Sequence, residues 1–173
     1  MYKYSLADNY ILTIDEQEEI VNWVKKNYHK FISTGYHRCF SKIELHNDIP
    51  KCVNDIKLRI IEKENLHNEI QEPYFKDSIG YMWDGGQLHK HTDPNQGELI
   101  HTRFNVYVQL PLTGGYPIYD NKILRLKERT YICCRSGLDL HSCEMAEGSR
   151  ERIIISFGYL LSKERVKNII YEY

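Results

Sequence analysis

The sequence predicts a mainly β fold with flanking helices, and three observations carry that expectation. Residues Arg103-Phe-Asn-Val-Tyr-Val-Gln-Leu110 alternate polar and apolar without a break, so one face of an extended chain is apolar and the other polar. Arg152-Ile-Ile-Ile-Ser-Phe157 is a short apolar run rich in β-branched residues, the strongest strand signal in the chain. Further short candidates at Tyr116–Tyr119, Ile123–Leu126 and Thr130–Cys134 are separated by turn signals, which suggests a sandwich or barrel.

The elements follow in order. Thr13 and Glu16 form a capping box, with Asp15, Glu16, Glu18 and Glu19 suited to the positive end of a helix. Ile20, Val21, Trp23 and Val24 then give an apolar stripe that ends near Lys25-Lys26-Asn27. Trp23 reads as a core residue on that stripe. A second helix is expected from about Pro50 to Asn68, where Val53, Ile56, Ile60 and Ile61 recur at helical spacing. Strand texture begins after Pro73, and Gly114-Gly115 supplies the freedom for a turn. The tail 162–173 is expected to be a short helix. The organisation read from this is one domain over 1–173: a helical flank at about 1–72, a β core at about 73–161 and the C-terminal helix.

Composition narrows the function. The 173 residues carry 23 Lys plus Arg against 24 Asp plus Glu, a formal net charge of −1. A nucleic-acid backbone calls for a basic footprint, so nucleic acid is an unlikely partner. The five cysteines are odd in number and contain no Cys-x-x-Cys, which points to free thiols in a reducing compartment. The segment MYKYSLADNY has no apolar core of a signal peptide, and no run approaches the roughly 20 apolar residues of a membrane span. The expected location is therefore the cytoplasm, with no membrane partner.

Chemistry concentrates at Gly85-Gly-Gln-Leu-His-Lys-His91-Thr92-Asp93. His91 and Asp93 are two apart, so on an extended chain they point to the same side. His141 is the natural third ligand. Two imidazoles and a carboxylate form a facial triad that leaves positions open on Fe(II) for a chelating cosubstrate and O2. A His-x-Asp triplet alone is weak and needs context. That context is Arg152, which opens an apolar strand where a guanidinium needs an anionic partner. Arg152, Ile154 and Ser156 share a face, so a dicarboxylate lying along it could take a bidentate contact from Arg152 and a hydroxyl from Ser156. His89 opens a competing cupin-type set with His91, and Cys143 is either a thiol ligand or, more simply, a packed residue. His29, His37, His46, His67 and His101 have no partner spacing and read as surface or packing residues. Trp83 reads equally as core or as a wall of the substrate entrance.

The order His-x-Asp, distal His, Arg-initiated strand resembles the 2-oxoglutarate and Fe(II)-dependent dioxygenases, most closely their small prolyl-4-hydroxylase-type branch. The resemblance covers about residues 79–159. His91, Asp93 and His141 match the iron ligands, Gly114-Gly115 a turn between ligand strands, and Arg152 with Ser156 the pair that holds the far carboxylate of 2-oxoglutarate. Tyr81, ten residues before His91, matches a cosubstrate-binding Tyr. Gln109 stands where relatives often place a cosubstrate-contacting Tyr, with Asn105 and Tyr107 near the iron or cosubstrate and Arg103 nearer the rim. Arg150 and Arg152 lie nine and eleven residues after His141, and both spacings occur in the family. Arg152 is preferred for the strand length to the aromatic.

The resemblance implies a double-stranded β-helix, or jelly roll, behind N-terminal helices. It implies Fe(II), 2-oxoglutarate and O2, with ascorbate as a stimulant, and release of succinate and CO2. Because Asp93 is present, hydroxylation is favoured over halogenation. The implied substrate is a peptidyl residue, prolyl among the options, or a small amino-acid-like molecule. Residues before about Ile79 would shape the substrate mouth. The competing readings are a cupin-like metalloenzyme without 2-oxoglutarate and a non-catalytic jelly-roll binding module.

Overall fold

A computed structural model describes residues 2–5, 9–167 and 169–172. The helices are α1 (Ile14–Asn27), α2 (Lys51–Glu64) and α3 (Lys163–Lys167). The strands up to the central pair are β1 (Tyr2–Ser5), β2 (Ile32–Gly35), β3 (Arg38–Lys42), β4 (Ile70–Gln71), β5 (Asp77–Met82), β6 (Leu88–His91) and β7 (Leu99–Gln109). Then come β8 (Thr113–Gly114), β9 (Pro117–Tyr119), β10 (Lys122–Ile123), β11 (Tyr131–Cys134), β12 (His141–Cys143), β13 (Ala146–Glu147), β14 (Arg152–Ser162) and β15 (Ile169–Glu172).

Two antiparallel sheets make the body. The larger runs β11-β7-β14-β5-β3-β2, with β4 also paired to β14, and the smaller runs β10-β9-β12-β6. This is the jelly-roll arrangement. The long strands β7 and β14 pair along ten positions at the centre of the larger sheet, and their alternation decides what each face does. Phe104, Val106 and Val108 of β7 and Ile153, Ile155 and Phe157 of β14 point outward. There they join Ile20, Trp23 and Val24 of α1 and Val53, Ile56 and Ile60 of α2 in one buried cluster. Each such side chain contributes roughly 1.5–3 kcal/mol when fully buried. The opposite faces of the same strands look into the space between the sheets.

The capping box is as read: Thr13 Oγ1 accepts from the Glu16 amide at 3.2 Å, and Glu16 Oε2 accepts from the Thr13 amide at 2.8 Å. α2 stops earlier than expected because Asn65 takes the left-handed conformation at φ 53° and ends the helix. Of the short strands, Ile123–Leu126 shrinks to β10, Lys122–Ile123.

Two expectations need correction. The tail is not a single helix: β14 continues to Ser162, α3 is five residues long, and Ile169–Glu172 pairs in parallel with Tyr2–Ser5. A one-turn helix has few internal hydrogen bonds, while the β-branched Ile169-Ile170 suits a strand. Residues 168 and 173 lie outside the described residues. Nor is 1–72 purely helical. It also contributes β1 and the hairpin β2–β3, which turns through Gly35, Tyr36 and His37, all at positive φ, and adds two strands to the larger sheet. Along Arg38-Cys-Phe-Ser-Lys42, Cys39 and Ser41 are buried and their neighbours half-buried.

All five cysteines are buried, and none forms a disulfide. No helix of the described residues is long and apolar enough to cross a membrane.

Candidate metal and cosubstrate site

The smaller sheet sets two ligands side by side, because His91 of β6 pairs directly with His141 of β12. Asp93 follows β6 and is fixed by its own amide, which donates to the Ser136 carbonyl at 2.8 Å. One ligand atom from each of His91, Asp93 and His141 lies within 4.8 Å of the others, and among the described residues these three form the group suited to a metal ion. The His91 and His141 rings are 4.2 Å apart.

Backbone contacts set the tautomers. His91 Nδ1 donates to the His89 carbonyl at 2.7 Å, and His141 Nδ1 donates to the Asp139 carbonyl at 3.1 Å. His141 therefore keeps its Nε2 lone pair for a ligand, an outer-shell arrangement typical of metal-binding histidines, while His91 Nε2 lies 3.5 Å from Asp93 Oδ1. Burial lowers the pKa of His141, which favours the neutral ligand form. The hydrogen bond to Asp93 raises that of His91. Burial pushes the Asp93 carboxyl up, but His91, His101, His141 and Arg103 together hold it below its ordinary value. Asp93 is thus held as an anion.

A cavity of about 250 Å³ extends from this triad between the sheets. Arg152, Ile154 and Ser156 of β14 line it, as do Asn105 and Tyr107 of β7. The Arg152 guanidinium lies 5.8 Å from the centre of the Tyr107 ring. Tyr107 is fully buried, and both its hydroxyl and Arg152 Nε lack a hydrogen-bond partner. Burial raises the Tyr107 pKa well above its usual value, so the hydroxyl stays a donor. Two buried donors aimed at one space, with no acceptor, describe a carboxylate-binding end.

Arg150 is committed elsewhere: it holds Glu128 and donates to the Leu110 carbonyl at 2.8 Å. Of the two, Arg152 is the one that lines the cavity. Asn105 also lines it, donating to Cys134 Sγ at 3.3 Å.

Two proposed cosubstrate contacts are not brought to the cavity. On β5, Ser78 and Gly80 face inward, so Ile79 and Tyr81 face the helices. Tyr81 stacks on Tyr28 at 4.7 Å, and its hydroxyl bonds to Glu151. Gln109 shares parity with Tyr107, but the register of β7 against β14 shifts between Ile153 and Ile154. That irregularity carries Gln109 out of line, and its amide donates to the Glu151 carbonyl at 2.8 Å. Arg103 is not at a rim but buried, with Nη2 3.0 Å from Glu72 and Nη1 donating to Lys76 O at 2.9 Å.

The alternative ligands also separate from the triad. His89 is exposed and sits edge-on to Tyr36 at 4.2 Å, away from His91 Nε2. Cys143 packs with Met82 and Ala146. Trp83 packs partly buried against the helix-side core, not at the cavity. Sequence reasoning missed His101, which is 2% exposed with Nε2 3.8 Å from Asp93 Oδ2. It also missed Arg38, Phe40 and Phe75, which line the cavity from the segment before residue 79. No local signal marks these residues, since only the strand pairing brings them inward.

No family profile and no curated protein matches the chain. Solved structures do. A viral collagen prolyl hydroxylase from Paramecium bursaria Chlorella virus-1, in its 2-oxoglutarate complex, is 17% identical at a TM-score of 0.66, covering 90% of this chain and 94% of that one. A prolyl-4-hydroxylase from Pseudomonas putida is 11% identical at 0.62, covering 90% and 91%. A prolyl hydroxylase from Trichoplax adhaerens, in complex with a hypoxia inducible factor peptide fragment, is 17% identical at 0.62, covering 92% and 84%. The chain therefore has the double-stranded β-helix fold seen in prolyl hydroxylases.

Proposed function

We propose that the protein is a 2-oxoglutarate- and Fe(II)-dependent hydroxylase, built as a single domain and working in the reducing cytoplasm. The observation that carries the reading is the pairing of two features in one cavity: a His-Asp-His triad whose ligand atoms lie within 4.8 Å of one another, and two buried donors, Tyr107 Oη and Arg152 Nε, without a hydrogen-bond partner. The residues present fit both groups. His91, Asp93 and His141 would hold the ferrous ion. Arg152, with Tyr107 and Ser156, would hold the far carboxylate of 2-oxoglutarate, while Tyr81 and Gln109 take no part.

When bound, the ion and 2-oxoglutarate supply the oxidising power, using O2 to hydroxylate a substrate C–H and releasing succinate and CO2, with ascorbate as a stimulant. The chain's own residues position and isolate. The backbone carbonyls of His89 and Asp139 keep the imidazoles in the ligating tautomer. Arg152 fixes the direction of the cosubstrate by a charge-assisted contact. The apolar Ile154 and the buried Tyr107 keep that end dry, which strengthens each electrostatic contact. The substrate is a peptidyl residue or a small amino-acid-like molecule. The solved structures of hydroxylases with a bound peptide or 2-oxoglutarate support the reading. The position of His89, turned away toward Tyr36, speaks against the cupin set.

The test is anaerobic titration of the Fe(II)-loaded protein with 2-oxoglutarate, followed by succinate release on adding O2. A metal-to-cosubstrate absorption band is expected for the wild type and absent for His91→Ala and Asp93→Ala, with metal affinity falling more than about a hundredfold. A metal-loaded wild type that binds no 2-oxoglutarate overturns the reading.

A further inference from the structure

The cavity contains one more cation than the metal and cosubstrate use. Arg38 stands on β3, and Arg152 on β14. Both are in register with Met82 of the intervening β5, so they occupy one row of the larger sheet's inner face. Arg38 is half-buried and lines the cavity. Among the described residues, no carboxylate lies within ion-pair distance of it and its side chain makes no hydrogen bond. Of the other half-buried or buried arginines, Arg103 holds Glu72, Arg135 holds Asp139, Arg150 holds Glu128 and Arg165 holds Glu69, while Arg129 lies over the Tyr10 ring, away from the cavity. Burial, then the Arg152 charge, lowers the Arg38 pKa, and its field reaches both Asp93 and His91. It lines the same cavity as the triad.

Charge balance says what it waits for. Arg103 is neutralised by Glu72, and the cavity's one carboxylate is Asp93. With a divalent ion on the triad and the 2-oxoglutarate dianion against Arg152, one positive charge remains uncompensated. A desolvated guanidinium is costly until an anion meets it, and its planar fork suits a carboxylate. Phe40, also on β3, and Phe75 stand edge to face at 6.0 Å on the same cavity wall and offer an apolar surface beside that charge. At about 250 Å³ the cavity is small beside the roughly 300–1,000 Å³ of most ligand pockets. Because Arg38 lines the same cavity as the triad, an anion that it holds lies close to the reacting carbon.

We propose that Arg38 binds the carboxylate of a small substrate, a free amino acid, whose oxidised carbon lies within a side chain's length of that carboxylate. The proposal rests on the hydroxylase reading and selects, within it, a free carboxylate over an internal peptide residue. Arg38 is then a specificity-determining residue.

The test is calorimetric titration of the protein loaded with Ni(II) and 2-oxoglutarate. The probes are the twenty free L-amino acids, each beside its carboxamide, and an N-acetylated prolyl peptide amide. At least one acid is expected to bind ten times or more tightly than its amide. Arg38→Gln should bring that ratio within twofold, and Arg38→Lys should restore part of it. The acid-to-amide ratio of the wild type needs no variant and stands even if Arg38→Gln fails to fold. The proposal is overturned if no acid outbinds its amide, if the peptide amide binds as well as any acid, or if Arg38→Gln keeps the ratio. It is also overturned if Arg38→Gln weakens 2-oxoglutarate binding as much as Arg152→Gln, because Arg38 would then belong to the cosubstrate site. Absence of 2-oxoglutarate binding to the Ni(II)-loaded wild type removes the hydroxylase reading itself, whereas cosubstrate binding without acid preference removes only the role of Arg38.

Discussion

The two faces of the larger sheet are made by the same strands and obey different rules. On the helix side, Phe104, Val106, Ile155 and Phe157 meet α1 and α2 in a cluster that folding alone completes. On the cavity side, Arg38, Tyr107 and Arg152 have no such completion. Among the described residues, four buried polar side-chain atoms lack a hydrogen-bond partner, and three of them lie in or beside the cavity: Tyr107 Oη, Arg152 Nε and His101 Nε2. Native proteins leave few such atoms, so their concentration on one face marks where stability has been given up for binding.

The sharpest test of this contrast is truncation on each face at neighbouring positions. Phe104→Ala empties a site that is 1% exposed and removes an edge-to-face contact with Tyr159, so it should cost about 3–5 kcal/mol of unfolding free energy in a denaturant melt. Tyr107→Phe removes only a hydroxyl that has no partner. It should leave stability within about 1 kcal/mol, because an unsatisfied buried polar group is lost and not a bond. The same variant should weaken 2-oxoglutarate binding about tenfold, or about 1.4 kcal/mol, by calorimetry. Equal destabilisation by the two variants would break the comparison.

The smallest effect belongs to a region remote from both faces. Arg59 hydrogen-bonds Glu16 and holds its carboxyl at about 2, below the ordinary 4.5, while burial opposes the shift. A folded-state value below the unfolded one adds stability above about pH 4.5, and that gain is lost as the pH falls toward 2. The Arg59 side chain is 42% exposed, so solvent screens much of the effect. Glu16→Gln should flatten the acid limb of the stability curve, and Thr13→Ala should cost about 1 kcal/mol at neutral pH. Neither should alter 2-oxoglutarate affinity.

What the sequence made legible follows from how far each signal reaches along the chain. The capping box, the helical stripes and the alternation of Arg103–Leu110 are local, and they hold. The triad was readable because His91 and Asp93 stand two residues apart and His141 opens a later strand. Tyr81 was misplaced because its facing depends on the register of β5 against β14, which puts Ser78 opposite Ser156 and turns Tyr81 outward. Gln109 was misplaced by a single irregularity in β7 against β14, which parity counting cannot foresee. Arg38 and Phe40 were invisible because a five-residue strand between two helices gains its meaning only from the sheet it joins.

The buried thiols have a practical consequence. Burial raises the Cys52 and Cys134 pKa values to about 12 and raises Cys39 as well, so these side chains stay protonated and unreactive in the folded protein. In a protein proposed to handle ferrous iron and O2, such cysteines are shielded from the oxidants generated nearby. They also form a label-free clock. A thiol reagent in excess would consume them at the rate at which the jelly roll opens, and a bound ligand would register as a slower count.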